Sequence, residues 1–119
     1  MAVALALAII TLTGGLFFVI GWMSLVGSLP PNSFVGIRTP YTRKSPENWL
    51  ATHRAAAPIL IWVGVAALAA GLAFLPFAFL GVLGDGLVLG LVIGLGLLLL
   101  VGAITSWLYG TRSARLRPG

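Results

Sequence analysis

The side chains that could take part in acid–base or nucleophilic chemistry lie mostly in one short stretch, residues 31–54, PNSFVGIRTPYTRKSPENWLATHR. This stretch holds the single His of the chain, His53, together with Ser45 and Glu47, which are the residue types of a hydrolytic triad. Nothing in their spacing indicates an oxyanion site, and a catalytic zinc usually takes three protein ligands, more than His53 and Glu47 supply. The chain has no Cys, which excludes thiolate metal sites, cysteine nucleophiles and disulfides.

A pair of carboxylates for general acid–base chemistry is not indicated either. The second acidic residue, Asp85, is separated from Glu47 by a long apolar segment, and a membrane-spanning segment would place the two on opposite sides of the bilayer. We therefore expect no enzymatic activity, no metal and no cofactor.

The composition indicates an integral membrane protein. Of the 119 residues, 60% are hydrophobic and 8% are charged, whereas roughly a quarter of the residues in soluble domains are charged. Five of the nine formally charged residues lie in residues 31–54. The expected fold is an all-α membrane protein, a single domain over residues 1–119, with three transmembrane helices and a structured cytoplasmic loop that contains a short helix.

Three apolar segments are long enough to cross a bilayer, at about 20 residues per crossing. We place them at about 3–27, 55–79 and 87–109, with the loop at 30–54 and a basic tail at 110–119. A secretory signal peptide is not favoured for the first, because no Lys or Arg precedes Arg38. The second helix either begins near Ala55 or runs on from Pro46, in which case Pro58 lies inside it and must kink it.

The third segment carries a row of glycines, Gly86, Gly90 and Gly94, with Gly102 eight residues further on. Small residues repeated every four positions let two membrane helices approach closely. We therefore expect these four glycines to pack against another helix, the alternative being that glycines are simply common in membrane helices.

The basic residues predict the orientation. They lie in the loop and in the tail, and three spans put both on one side, so the rule that cytoplasmic loops are basic predicts an outside N-terminus and a cytoplasmic C-terminus. With a net charge of +5 concentrated beside apolar helices, the expected partners are the bilayer and its anionic head groups rather than nucleic acid. The tail residues expected to contact head groups are Arg112, Arg115 and Arg117.

The loop has the turn chemistry of a folded element. Gly36 allows backbone conformations closed to other residues, and Ser45, Pro46 and Glu47 read as an N-cap, a first-turn proline and a favourable first-turn acid. A helix from Pro46 would place Trp49 and His53 on one face, towards the membrane interface. Arg38 is either a topology determinant or a hub that binds loop carbonyls or an acidic group of a partner, and the hub predicts that Arg38→Lys is damaging.

The ordered pattern of these residues resembles the SdpI family of bacterial membrane proteins. The better-known members have additional membrane helices before this region, so the chain resembles a short form. The matching residues, which we take as the candidate partner-binding set, are Asn32, Gly36, Ile37, Arg38, Thr39, Pro40, Tyr41, Thr42, Ser45, Trp49, Thr52, His53 and Arg54.

The resemblance implies a protein of the bacterial cytoplasmic membrane. The namesake of the family gives immunity to a secreted peptide toxin and sequesters a transcriptional repressor at the membrane. Two functions stay open: an immunity or signalling protein that binds a peptide toxin or a regulator, and a small accessory subunit that packs its glycine-rich helix face onto a larger membrane complex.

Overall fold

Three long helices form an antiparallel bundle. A computed structural model describes residues 1–32 and 35–116. The helices are α1 (Ala2–Val26), α2 (Pro46–Phe79) and α3 (Asp85–Arg115), and a 3-10 helix, Thr42–Lys44, precedes α2. All three long helices have the length and apolar composition needed to cross a membrane, so the chain is a multi-pass membrane protein.

The helix ends follow local sequence signals, with one correction. α1 ends at Gly27, close to the expected end of the first span, where a φ of 77° is left-handed. The side chain of Ser45 caps α2, as predicted, by accepting a hydrogen bond from the Asn48 amide at 3.1 Å. The helix that begins at Pro46 is continuous with the second span, with Pro58 inside it, so the separate short loop helix was a wrong prediction.

α3 also runs further than expected, from Asp85 to Arg115. Arg112 and Arg115 therefore lie on its last turns rather than in a separate tail, and basic residues at a helix C-terminus interact favourably with the helix dipole. Arg117 lies outside the described residues.

Small residues bring α1 and α2 together until their backbones touch. A Cβ placed on Gly64 would lie 2.7 Å from the carbonyl oxygen of Gly14, and one on Gly14 would lie 2.8 Å from the Ala67 Cβ. On either side of this contact, a Cβ on Gly21 would meet Ile61 and one on Gly71 would meet Thr11. Because lipid is as apolar as the helix surface, close packing of this kind is what holds membrane helices together.

α3 packs on α2 through a row of small residues that begins at Gly102, one of the four glycines predicted to pack on another helix, and continues beyond the predicted set. A Cβ on Gly102 would lie 2.7 Å from Val63, and one on Gly110 would lie 2.7 Å from the Thr52 carbonyl oxygen. The buried members of this row recur every four residues: Gly102, Ser106, Gly110 and Ala114.

The other three glycines of the predicted row do not contact another helix of this chain. Nothing described lies within 4 Å of a Cβ built on Gly86, Gly90 or Gly94. Residues four apart rotate by about 40° around a helix, so a row of this spacing drifts across the helix surface. Within the described residues these three glycines therefore have no helix partner in this chain, and packing against a helix of another chain stays a prediction.

Three buried hydroxyl groups of the long helices donate to carbonyls of their own helices. Thr11 donates to the Leu7 carbonyl at 2.7 Å, Ser24 to the Ile20 carbonyl at 2.7 Å and Ser106 to the Ala103 carbonyl at 2.9 Å. Each hydroxyl is therefore compatible with an apolar environment, where an unpaired polar group is costly.

Candidate functional site

The residues of the sequence pattern fold into a cap at the end of the bundle where α1 ends and α2 begins. We call residues 35–53 the signature cap. At its centre the rings of Trp49 and His53 stack with centroids 4.3 Å apart, and each residue is only 1% exposed. The Trp49 ring nitrogen donates to the Leu29 carbonyl oxygen at 2.9 Å. Trp49 is thus an internal anchor that fastens the cap to the segment after α1, and its buried side chain is not available as an anchor exposed to lipid head groups.

Both ring nitrogens of His53 are bound to backbone groups. Nε2 accepts from the Ile37 amide at 2.9 Å, and Nδ1 lies 2.8 Å from the Trp49 carbonyl oxygen. An amide donor requires an unprotonated Nε2, so the neutral ring carries its proton on Nδ1 and donates it to Trp49. Because Ile37 is sixteen residues before His53, this bond ties the irregular half of the cap to α2.

Gly36 is the position where the cap tolerates no side chain. Its φ is 106°, which L-residues rarely adopt. A Cβ there would also lie 2.6 Å from His53 Nε2 and 3.3 Å from the Trp49 ring. Gly36 therefore lets the backbone lie directly against the stacked rings.

A pair of threonines closes the turn between Gly36 and α2. The Thr39 amide donates to Thr42 Oγ1 at 2.8 Å, the Thr42 amide donates to Thr39 Oγ1 at 3.1 Å, and Thr42 Oγ1 in turn donates to the Ile37 carbonyl at 2.8 Å. The Asn48 side chain donates to the Tyr41 carbonyl at 3.0 Å. The cap is a folded element, and its short polar side chains hold it.

Arg38 has no part in holding the cap together. Its side chain is exposed and, within the described parts of the chain, it makes no hydrogen bond or ion pair. The prediction that Arg38 binds loop carbonyls is therefore wrong, because the Thr42 hydroxyl already donates to the Ile37 and Thr39 carbonyls of that turn. A cation–π contact joins the cap to α3, with the guanidinium carbon of Arg115 4.8 Å from the centre of the Tyr41 ring.

Two grooves flank the cap and share Thr39 and Trp107. The first, of about 430 Å³, lies between α1 and α3 under residues 36–39 and is walled by Phe17, Ile20, Leu60, Ala103 and Ser106. The second, of about 620 Å³, lies between residues 39–41 and the end of α3, where it is lined by Thr111, Arg112 and Arg115. We call them the interhelical groove and the tail groove.

The structure brings most of the predicted residues together but gives them different tasks. Asn32 stabilises its own turn by accepting from the Val35 amide at 2.7 Å, and Arg54 lies exposed beside Gly27. Thr52 is fully buried, and its hydroxyl has no partner among the described residues. The buried members are Thr42, Trp49, Thr52 and His53, with Thr39 and Ser45 half-buried and the exposed Gly36 lying against the two rings.

Sequence reasoning missed Leu29, whose carbonyl binds Trp49, and it missed Gly110, which seats α3 on Thr52. No side-chain signal marks a backbone acceptor such as Leu29. The four-residue repeat from Gly102 to Ala114 could have indicated Gly110. In the described residues, no group of three or more His, Asp or Glu side chains is arranged to hold a metal ion.

Comparison with known proteins identifies one family. The model of the SdpI/YfhL protein family matches residues 28–114, which include the whole signature cap and nearly all of α2 and α3. No curated protein and no solved structure matches the chain.

Proposed function

This chain belongs to the SdpI/YfhL family, and on that premise we propose that it acts in immunity or signalling without enzymatic activity, by binding a peptide or a regulatory protein at the signature cap. The proposed location is the bacterial cytoplasmic membrane, with the cap on the cytoplasmic side. The family places the protein in a membrane, and the partner and the immunity role are our inference.

The observation that carries the proposal is a hydrogen-bonded cap with exposed basic side chains. The hydrogen bonds that join Trp49 to Leu29 and Ile37 to His53 hold the cap, while Arg43 and Lys44 are exposed on it. A fixed arrangement of cations binds an acidic partner with little loss of conformational entropy, and mutual charge attraction speeds association. If these basic residues only determined the membrane topology, their charge would be sufficient and a folded cap would not be needed.

The test is site-specific crosslinking in native membranes. A photoreactive residue at Pro40, which is exposed on the cap, should give an adduct of discrete mass, and the same residue at Val82, exposed at the opposite end of the bundle, should not. Charge reversal with Arg43→Glu and Lys44→Glu should abolish the adduct. Sensitivity of a deletion strain to secreted peptides should be rescued by the wild type and not by the charge-reversed variant.

An adduct that persists in the charge-reversed variant would argue against binding at the basic surface. Equal rescue by both proteins would argue against an immunity role for that surface.

A second candidate function is that of an accessory subunit docked on a larger membrane complex. The observation that favours it is the open glycine row, since Gly86, Gly90 and Gly94 have no described neighbour within 4 Å of a built Cβ. Such a surface admits the backbone of another helix. Co-purification from native membranes separates the two functions, because a stoichiometric large membrane partner that is lost in Gly94→Leu supports the subunit.

A further inference from the structure

We propose that the interhelical groove binds one anionic phospholipid, with an acyl chain between α1 and α3 and the head-group phosphate on Arg38. This lipid site is separate from the partner-binding surface at Arg43 and Lys44.

The apolar part of the groove is formed by the three candidate membrane-spanning helices. Phe17 and Ile20 belong to α1, Leu60 to α2 and Ala103 to α3, and all three helices are long and apolar enough to cross the membrane. In a membrane the surrounding molecules are lipids, and an acyl chain in this groove would contact apolar side chains. A volume of about 430 Å³ lies within the usual range for small-molecule sites, roughly 300–1,000 Å³.

The polar end of the groove carries a free cation and no acid. Arg38 lines the groove beside Gly36 and Thr39, and no Asp or Glu is among the lining residues. The guanidinium is exposed and without a partner among the described residues. A guanidinium matches a phosphate with two parallel hydrogen bonds, so the charge at this end selects an anionic head group.

The neighbouring tail groove adds to the preference for an anionic head group. It shares Thr39 and Trp107 with the interhelical groove and is lined by Arg112 and Arg115, so further positive charge lies next to the proposed phosphate position. Among the described residues that line either groove, none is acidic. The cations thus lie towards the cap, and the apolar side chains lie further from it along the helices. A phospholipid has its phosphate and its acyl chain in the same order.

The test uses Trp107 as a reporter of the groove. In a Trp22→Phe, Trp62→Phe background, Trp107 is the remaining exposed tryptophan, because Trp49 is buried. The protein is placed in phosphatidylcholine nanodiscs that hold an equal, minor fraction of phosphatidylglycerol, with bromine on the chains of one lipid or of the other. Brominated phosphatidylglycerol should be enriched at Trp107 by about fivefold, the factor expected for one Arg near an anionic surface.

Arg38→Ala should abolish this enrichment, and Arg43→Ala, which removes an exposed cation outside both grooves, should retain it. Ala103→Phe, which fills the groove and leaves Arg38 in place, should also abolish the enrichment, while the exposed neighbour Ile104→Phe should not. Thermal unfolding of each variant checks that the bundle is intact.

Two results would overturn the proposal: equal quenching by the two brominated lipids in the wild type, which would leave the groove to bulk lipid or to a protein segment, and an undiminished preference in Arg38→Ala. Neither depends on crosslinking at Pro40, so the lipid site and the partner surface succeed or fail separately.

Discussion

At the residue scale, most residues of the family pattern stabilise the fold of the signature cap. Gly36, Trp49 and His53 form one contact in which a backbone with positive φ lies on two stacked rings. The bond that the Ile37 amide donates to His53 and the bond that Trp49 donates to the Leu29 carbonyl take the place of bonds to water for groups that the cap buries. Because a buried donor or acceptor left unpaired is costly, these side chains hold the backbone of the cap in place.

Gly36→Ala should destabilise the protein by about 2–4 kcal/mol, from the strained φ and from the clash with His53. The matched control is Gly81→Ala, at a position that also has positive φ but has nothing within 4 Å of the built Cβ. Thermal unfolding in detergent should therefore show the larger loss for Gly36→Ala. In a His53→Ala background the penalty at Gly36 should shrink, because the clashing ring is gone, and an unchanged penalty would exclude the proposed contact.

Trp49→Phe keeps most of the stacked ring and removes the donor to Leu29. We expect a loss of about 1–3 kcal/mol, because the buried Leu29 carbonyl is left without its donor. Arg38→Lys should stay within about 0.5 kcal/mol of wild type, because Arg38 is exposed and unpaired among the described residues. Chemical unfolding of both variants measures the difference in unfolding free energy. A larger loss for Arg38→Lys than for Trp49→Phe would support the role of Arg38 as a structural hub.

At the element scale, α2 is the central helix and small residues decide what packs on it. Gly64 and Gly71 lie against α1, and the Thr52 carbonyl and Val63 receive Gly110 and Gly102 of α3. α3 has a second, unpartnered row at Gly90 and Gly94. The same residue type thus serves the fold on one face and is available for association on another.

Gly102→Leu should therefore lower the stability of the isolated protein, whereas Gly94→Leu should affect only its association with other chains. At Gly102 the added atoms meet Val63 at 2.7 Å, so we expect a loss of about 1–3 kcal/mol in thermal unfolding. At Gly94 the space is open, so the isolated protein should unfold as wild type does, and any association through this row should be lost in native gels. If Gly94→Leu destabilised the isolated protein as much, the assignment of the two faces would be wrong.

At the scale of the whole molecule, antiparallel packing puts the cap and the basic end of α3 on one side. Arg115 contacts the Tyr41 ring, so the two basic regions of the sequence form one surface. Cytoplasmic ends of membrane proteins are typically basic, and this surface is the proposed cytoplasmic face.

Cysteine labelling tests that orientation in a chain without native Cys. Lys44→Cys, exposed on the cap, should react with an impermeant reagent only after the cells are opened, and Val82→Cys, exposed at the other end, should react on intact cells. The reverse pattern would place the cap outside and would contradict the orientation.

The sequence by itself determined the features that depend on composition and on neighbours in the chain. Three apolar segments predicted three spans, and Ser45 followed by Pro46 marked the start of α2, because hydropathy and capping are local properties. Only the tertiary structure decided which faces meet. The glycines at 86, 90 and 94 and the small residues from Gly102 onward have the same spacing, yet only the second row faces α2.

The same distinction explains the cap. The turn residues predicted a folded loop, but the partners of Trp49 and His53 are a carbonyl and an amide that are twenty and sixteen residues away. Backbone groups are chemically alike in every residue, so no side-chain pattern marks the one that will be bound. The positions of the helices bring these groups together, and they leave Arg38, predicted to hold the loop, facing a groove.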